Sequence, residues 1–130
     1  MTIVVLCLLI AVFLPYVLSG IAVRHKRLQL GTVDNNNPRA QAAQLTGAGA
    51  RAVAAQLNAW EALAVFTAAL IAAFYVDVEP GRLVIPALIF VVARIAHAFC
   101  YLRDLASARS ASFFVGVLAC LWIFRLAIFP

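Results

Sequence analysis

The chain of 130 residues is 66% hydrophobic and only 12% charged, with a mean hydropathy of +1.04. Soluble domains are roughly half apolar, so this composition excludes an ordinary soluble fold and indicates a protein of the lipid bilayer. The net charge of +5 has no soluble basic face to occupy, which excludes nucleic-acid binding and favours contact with anionic lipid headgroups.

Four apolar stretches are long enough to cross a hydrocarbon core of about 30 Å. The predicted spans cover about 2–23, 50–75, 83–102 and 111–129. They leave no room for a separate soluble domain, so we expect a single four-helix membrane domain over residues 1–130. The cations "RHKR" at 24–27 follow the first stretch instead of preceding it, which favours an uncleaved span over a signal peptide.

The charges of the connections predict the orientation, because Lys and Arg are retained on the cytoplasmic side. The first connection, 24–49, holds four Lys or Arg against one carboxylate, and the third, 103–110, holds two against one. The middle connection, 77–82, holds two carboxylates against one arginine. We therefore expect the first and third connections to face the cytoplasm, with both termini on the other side of a bacterial inner membrane.

Asn37 followed by Pro38 in the first connection is typical of a helix N-cap with proline at the first helical position. A short helix is therefore predicted to begin there. The glycines at 47 and 49 either end that helix or loosen one long helix that continues into the second span.

Cys7, Cys100 and Cys120 fall inside predicted spans without CxxC or Cys/His metal spacing. We interpret them as packing residues, with a minor functional role open for Cys100, and we predict no metal site.

Polar residues within the second and third spans are the candidate functional residues, because charge at membrane depth is expensive and usually faces a partner or a wet cavity. Helical periodicity gives the second span one polar stripe, which contains Arg51, Asn58 and Glu61. Spacings of three and four put on one face of the third span Arg94, His97 and Tyr101.

Glu61 and Arg94 are expected at similar depth. A rise of about 1.5 Å per residue puts Glu61 roughly 15 Å from Arg51, and Arg94 about 13 Å from Arg103. The residues alone allow two interpretations. One is a structural ion pair that fixes the register of the bundle, and the other is a ligand site in a polar cavity open to the cytoplasm.

The sequence resembles the MAPEG family, the membrane-associated proteins in eicosanoid and glutathione metabolism. The matching stretches are "R-x4-Q-x-N-x2-E-x4-F" from Arg51 to Phe66, "ARIAHAFCYL" at 93–102 and "RSASFFVG" at 109–116. The resemblance covers all four spans, and the joint occurrence of R-x2-H-x3-Y-L with the later Arg-Ser is fairly specific. His97 and "SFFVG" make the microsomal glutathione transferases and the microsomal prostaglandin E synthase more similar than the leukotriene-conjugating synthase.

The resemblance implies a homotrimer of four-helix subunits that holds glutathione between neighbours near the cytoplasmic face. It assigns contacts with this co-substrate to Arg24, Arg51, Asn58, Glu61, Arg94, His97 and Tyr101. Glu61 would bind the glutathione amine, and Arg109, with Ser110 beside it, would lie next to the thiol. The chemistry agrees, because two carboxylates and one ammonium need several arginines and one carboxylate, and the thiol needs a nearby cation to become a thiolate at neutral pH.

These features predict a membrane-bound glutathione-dependent transferase or peroxidase, of the detoxification kind, that acts on lipophilic electrophiles or hydroperoxides from the bilayer. Ala54 and Ala59 replace an arginine and an aspartate of many members, and Ala62 replaces the tyrosine of the leukotriene-conjugating type, which weighs against eicosanoid chemistry. The alternative is a non-catalytic lipid- or partner-binding scaffold of the same fold. A small transporter is disfavoured, because no span is broken at its middle by paired Gly or Pro.

Overall fold

The computed structural model describes residues 1–129, and its regular structure is all helical. The helices are α1 (Thr2–Leu30), α2 (Pro38–Ala42), α3 (Gly47–Tyr75), α4 (Pro80–Leu102) and α5 (Ala106–Ile128). All except the short α2 are long and apolar enough to cross a membrane. The predicted all-α bundle of four membrane helices is confirmed, and the chain is an integral membrane protein.

The helices extend beyond the apolar stretches that revealed them. α1 continues through the cations at 24–27, and α5 begins at Ala106 instead of near residue 111. Hydropathy marks only the part of a helix inside the hydrocarbon, whereas backbone hydrogen bonding continues into the headgroup region. The third connection therefore shortens to 103–105, and Arg109 and Ser110 lie in the first turns of α5.

The start of α2 is the one that the sequence predicts. Pro38 is its first residue and Asn37 its N-cap, although the Asn37 side chain makes no cap hydrogen bond. The helix ends at Ala42, before either glycine, and α3 starts separately at Gly47. Gly47 has a φ of 51°, which glycine adopts without the steric cost of a Cβ.

Asp34 organises the turn before α2. Its Oδ1 accepts the backbone N–H groups of Asn36 at 2.8 Å and Asn37 at 3.0 Å. These hydrogen bonds, that of Asn37 first, favour the ionised form and lower the pKa of Asp34 below its ordinary value. Lys26 then joins the turn to α1, because its Nζ donates to the carbonyl of Pro38 at 2.8 Å.

The apolar core forms two clusters. The larger one joins the first halves of α1 and α4 to the second halves of α3 and α5. Within it, the rings of Phe66 and Phe90 stack with centroids 4.0 Å apart. The smaller one consists of Leu18, Ala55, Ala59 and Ala98. All three cysteines are free and buried, which agrees with a packing role.

Two groups of contacts define the ends of the bundle. At one end, Arg51 in the first turns of α3 contacts Asp104 in the α4–α5 connection at 3.5 Å. At the other end, Val4 shares the larger cluster with Val78 and Leu126. The first and third connections therefore share one end, and both termini lie with the middle connection at the other.

Candidate functional site

A cleft of about 320 Å³ opens between α3, α4 and α5 near the α4–α5 connection. Its walls contain Asn58, His97, Tyr101, Arg109, Ser110, Phe113 and Phe114. The first five of these residues are the ones that the sequence singles out, and they come from three different helices. The fold thus brings together residues that are up to 52 positions apart in the chain, from 58 to 110.

Aromatic rings position the cation of the cleft. The guanidinium carbon of Arg109 lies 4.5 Å from the centroid of the Tyr101 ring, within the range of a cation–π interaction. His97, one turn earlier on α4, meets the same ring edge-on with centroids 5.5 Å apart. Arg109 has no carboxylate partner within residues 1–129, so its N–H groups are free to bind an anion.

A second cavity of about 180 Å³ continues the cleft toward the middle of the bundle. Asn58 and Phe113 line both cavities. The inner cavity adds Glu61 from α3, Arg94 from α4 and otherwise mostly apolar side chains. Two adjoining cavities therefore contain most of the polar residues predicted from the second and third spans, namely Asn58, Glu61, Arg94, His97 and Tyr101, and the lining of the inner cavity is largely apolar.

The direct ion pair between Glu61 and Arg94, which was one of the two interpretations of the sequence, is not formed. Arg94 instead donates from Nη2 to Asn58 Oδ1 at 2.6 Å, and Asn58 Nδ2 approaches Glu61 Oε2 at 3.4 Å. Glu61 is exposed on its helix, whereas Arg94 is only 4% exposed. Asn58 lies about one turn nearer the start of α3 than Glu61, and Asn58 is the residue that faces Arg94. The Asn58 side-chain amide therefore lies between the two charged groups.

Two buried polar atoms at these cavities have no hydrogen-bond partner. They are Nε of Arg94 and Nδ1 of His97, in side chains that are 4% and 3% exposed. Buried donors and acceptors are normally satisfied, and leaving one unsatisfied costs about 1–3 kcal/mol. Both atoms are enclosed by protein, so each is an unmet hydrogen-bond requirement inside the bundle beside the two cavities.

The remaining predicted residues lie outside the two cavities. Arg51 forms the salt bridge to Asp104. Arg24 is exposed on α1, away from the cleft within a single chain. Ala59, at the position of the family aspartate, is buried against α1 and α4 in the smaller apolar cluster, so a carboxylate there would be costly.

Sequence reasoning missed several residues of the site. Phe113 and Phe114 line the cleft, and Cys120 lines the inner cavity. Their spacing contains the signal, because Phe113 follows Arg109 by four residues and Cys120 follows Phe113 by seven, which places all three on one face of α5. Helical spacing could not reveal Asp104, because it lies in the α4–α5 connection and its partner, Arg51, lies on α3.

Comparison with known proteins agrees with the four-helix membrane fold. The model of the MAPEG family matches residues 3–129, which is nearly the whole chain. Searches of the curated proteins and of the solved structures found no match. The match spans all four membrane helices and every residue that borders the two cavities, and the chain therefore belongs to the MAPEG family.

Proposed function

We propose that the protein is a membrane-bound glutathione-dependent transferase or peroxidase for lipophilic electrophiles or hydroperoxides. The observation that carries the proposal is the convergence of Asn58, His97, Tyr101, Arg109 and Ser110 on one cleft. Family membership supports a glutathione-related activity. Within the family, the microsomal glutathione transferase and prostaglandin E synthase type fits best, since His97 lies in the wall of the cleft.

Glutathione would be bound by the polar groups that the two cavities present. Glu61 would bind the ammonium group, and Arg94 would offer N–H groups to a carboxylate. Arg51, which lies outside the cavities at the same end of the bundle as the cleft, would offer N–H groups to the other carboxylate. Asn58, His97 and Tyr101, which line the cleft, would contact the peptide. The phenylalanines and the apolar inner cavity would leave room for a lipophilic second substrate.

Arg109, with Ser110 beside it, would supply the catalytic electrostatics. Its cationic guanidinium would favour the thiolate, while the thiol proton leaves to water. In transfer, the sulfur forms a bond to the electrophilic carbon and the leaving group departs with its electron pair. In peroxide reduction, the sulfur takes the distal oxygen, an alcohol is released, and a second glutathione yields the disulfide and water.

A homotrimer would complete the site. Glu61 is exposed although it lies roughly 15 Å along the helix from Arg51, and an uncovered carboxylate at membrane depth is expensive. A neighbouring copy would cover it and could bring its own Arg24 to the ligand. Light scattering of the detergent complex should give a mass of three chains, and Arg24→Ala should weaken glutathione binding.

Calorimetric titration of the detergent-purified protein with glutathione tests the proposal. Saturable binding, together with conjugation of a generic aromatic electrophile or reduction of a lipid hydroperoxide, is the expected result. Folded protein that releases no heat on titration with glutathione or with any of its analogues would contradict the proposal.

One observation favours the alternative of a non-catalytic scaffold. Arg94 is already paired with Asn58, and Arg51 with Asp104, so both arginines have partners without a ligand. A scaffold would keep these contacts for stability and would bind lipid or a partner protein on its apolar surface. Folded protein that binds lipid or a partner protein but leaves glutathione unbound would favour this alternative.

A further inference from the structure

The contact between Arg51 and Asp104 joins the first turns of α3 to the α4–α5 connection, at the end of the bundle where the cleft lies. Nη1 of Arg51 lies 3.5 Å from Oδ2 of Asp104, and the two side chains are 29% and 67% exposed. Within residues 1–129 no other salt bridge is formed. Asp104 belongs to the three-residue connection between Tyr101 at the end of α4 and Arg109 in α5, which both line the cleft.

The backbone at Asp104 has a conformation that normally selects glycine. Its φ is 61°, in the left-handed region. The N–H of Leu105 donates to the carbonyl of Cys100 at 2.9 Å, and that of Asp104 to Tyr101 at 3.2 Å, which is the pattern of a Schellman motif. The usual residue at this position is glycine, so the aspartate side chain is present at some conformational cost.

The geometry explains what that side chain does. The carboxylate lies 3.5 Å from Nη1 of Arg51 and attracts the guanidinium as an ion pair. Arg51 precedes Asn58 on α3 by about two helical turns, at the end of the bundle where the cleft lies. A guanidinium has five N–H donors, so most of them remain available for a ligand carboxylate. The Nε of Arg51 is buried and has no partner.

We propose that Asp104 is a positioning residue, which fixes Arg51 and the α4–α5 connection so that the arginine can bind a carboxylate of glutathione. The inference rests on the proposed function. Asp104 itself touches no substrate, and its effect reaches the ligand only through Arg51. A partly exposed pair of this kind contributes little to folding, so its effect should be seen mainly in binding.

The test compares Asp104→Asn with wild-type protein by calorimetry and steady-state kinetics with glutathione. Asparagine tolerates the left-handed backbone, so the change removes mainly the charge. We expect the Kd and KM for glutathione to rise about three- to fivefold, which is the size of effect that loss of an exposed ion pair produces. The kcat should stay within about twofold of wild type. In an Arg51→Gln background, the same change should have no further effect.

Asp77→Asn is the matched control, because Asp77 is the other left-handed aspartate, at φ 55°, and lies in the middle connection at the opposite end. It should leave binding unchanged. Asp104→Gly replaces Asp104→Asn if the latter folds poorly, since glycine relaxes the turn and still removes the carboxylate.

The outcomes separate this inference from the proposed function. Wild-type protein that binds no glutathione would overturn both. Wild-type protein that binds it while both Asp104 variants bind equally well, or an additive loss in the Arg51→Gln background, would overturn the positioning role alone.

Discussion

Arg109 is the residue whose change best separates catalysis from structure. Because its guanidinium faces the Tyr101 ring and the cleft, Arg109→Ala should raise the pKa of the bound thiol. Turnover should fall about tenfold for each 1.4 kcal/mol of lost stabilisation, with peptide binding largely kept. Arg109→Lys should restore only part, since an ammonium does not reproduce the planar fork.

The measurement is the thiolate absorbance near about 240 nm against pH, together with conjugation rates. Arg103→Ala is the control, because Arg103 is an exposed cation of the nearby α4–α5 connection that packs on Phe99 outside the cleft. Undiminished turnover of Arg109→Ala would refute the catalytic role.

Asn58 connects the charges of the inner cavity, so its removal should affect stability more than removal of the Glu61 charge. Asn58→Ala deletes the 2.6 Å hydrogen bond to a buried guanidinium. The loss should be about 1.5–3 kcal/mol of unfolding free energy, measured by equilibrium unfolding in mixed micelles. Glu61→Gln, at an exposed position, should change the unfolding free energy by no more than about 0.5 kcal/mol. Equal losses would instead support a direct charge pair between Glu61 and Arg94.

At the level of helices, Gly116 sets how closely α5 approaches α4 beside Arg94. A Cβ added at Gly116 would lie 3.4 Å from Cδ of Arg94, which is an ordinary contact. Gly116→Ala should therefore be neutral or stabilising, since alanine favours a helix by about 1 kcal/mol over glycine. Gly116→Leu should displace Arg94 and lower the melting temperature in detergent. If leucine is tolerated as well as alanine, the close approach is unimportant.

The turn before α2 should respond to pH through Asp34. Its folded pKa is lowered, so its stabilisation is present above the ordinary pKa and is lost as pH falls through the folded value. The amide proton shifts of Asn36 and Asn37 in NMR spectra should change together, with an apparent pKa below the ordinary value of an aspartate. Asp34→Asn should abolish this transition, and a transition that survives the change would assign it to another group.

At the scale of the whole molecule, we expect the first and third connections to face the cytoplasm. Single cysteines at Asn36 and Ser107, which are exposed, should resist impermeant labelling from outside intact cells. A cysteine at Asp77 should react in the same experiment. The background replaces the three native cysteines by alanine. Reaction at 36 or 107 without reaction at 77 would reverse the orientation and remove the site from cytosolic glutathione.

Much of the architecture follows from the sequence by itself. Composition identifies lipid as the solvent, and the length of the apolar stretches gives the number of spanning helices. The shared faces of His97 with Tyr101, and of Asn58 with Glu61, also follow, because positions three or four apart on one helix are neighbours whatever surrounds them. The N-cap at Asn37 is equally local.

Contacts between helices required the tertiary structure. Arg94 meets Asn58 instead of Glu61, Arg51 meets Asp104, and Lys26 is buried against the Pro38 carbonyl. Each of these contacts depends on how far one helix is rotated and shifted against another. A shift of one turn, about 5.4 Å, changes every partner while leaving the hydrophobic pattern of each helix intact. The sequence therefore determined which residues can interact within a helix, and the packing of the bundle determined which of them meet.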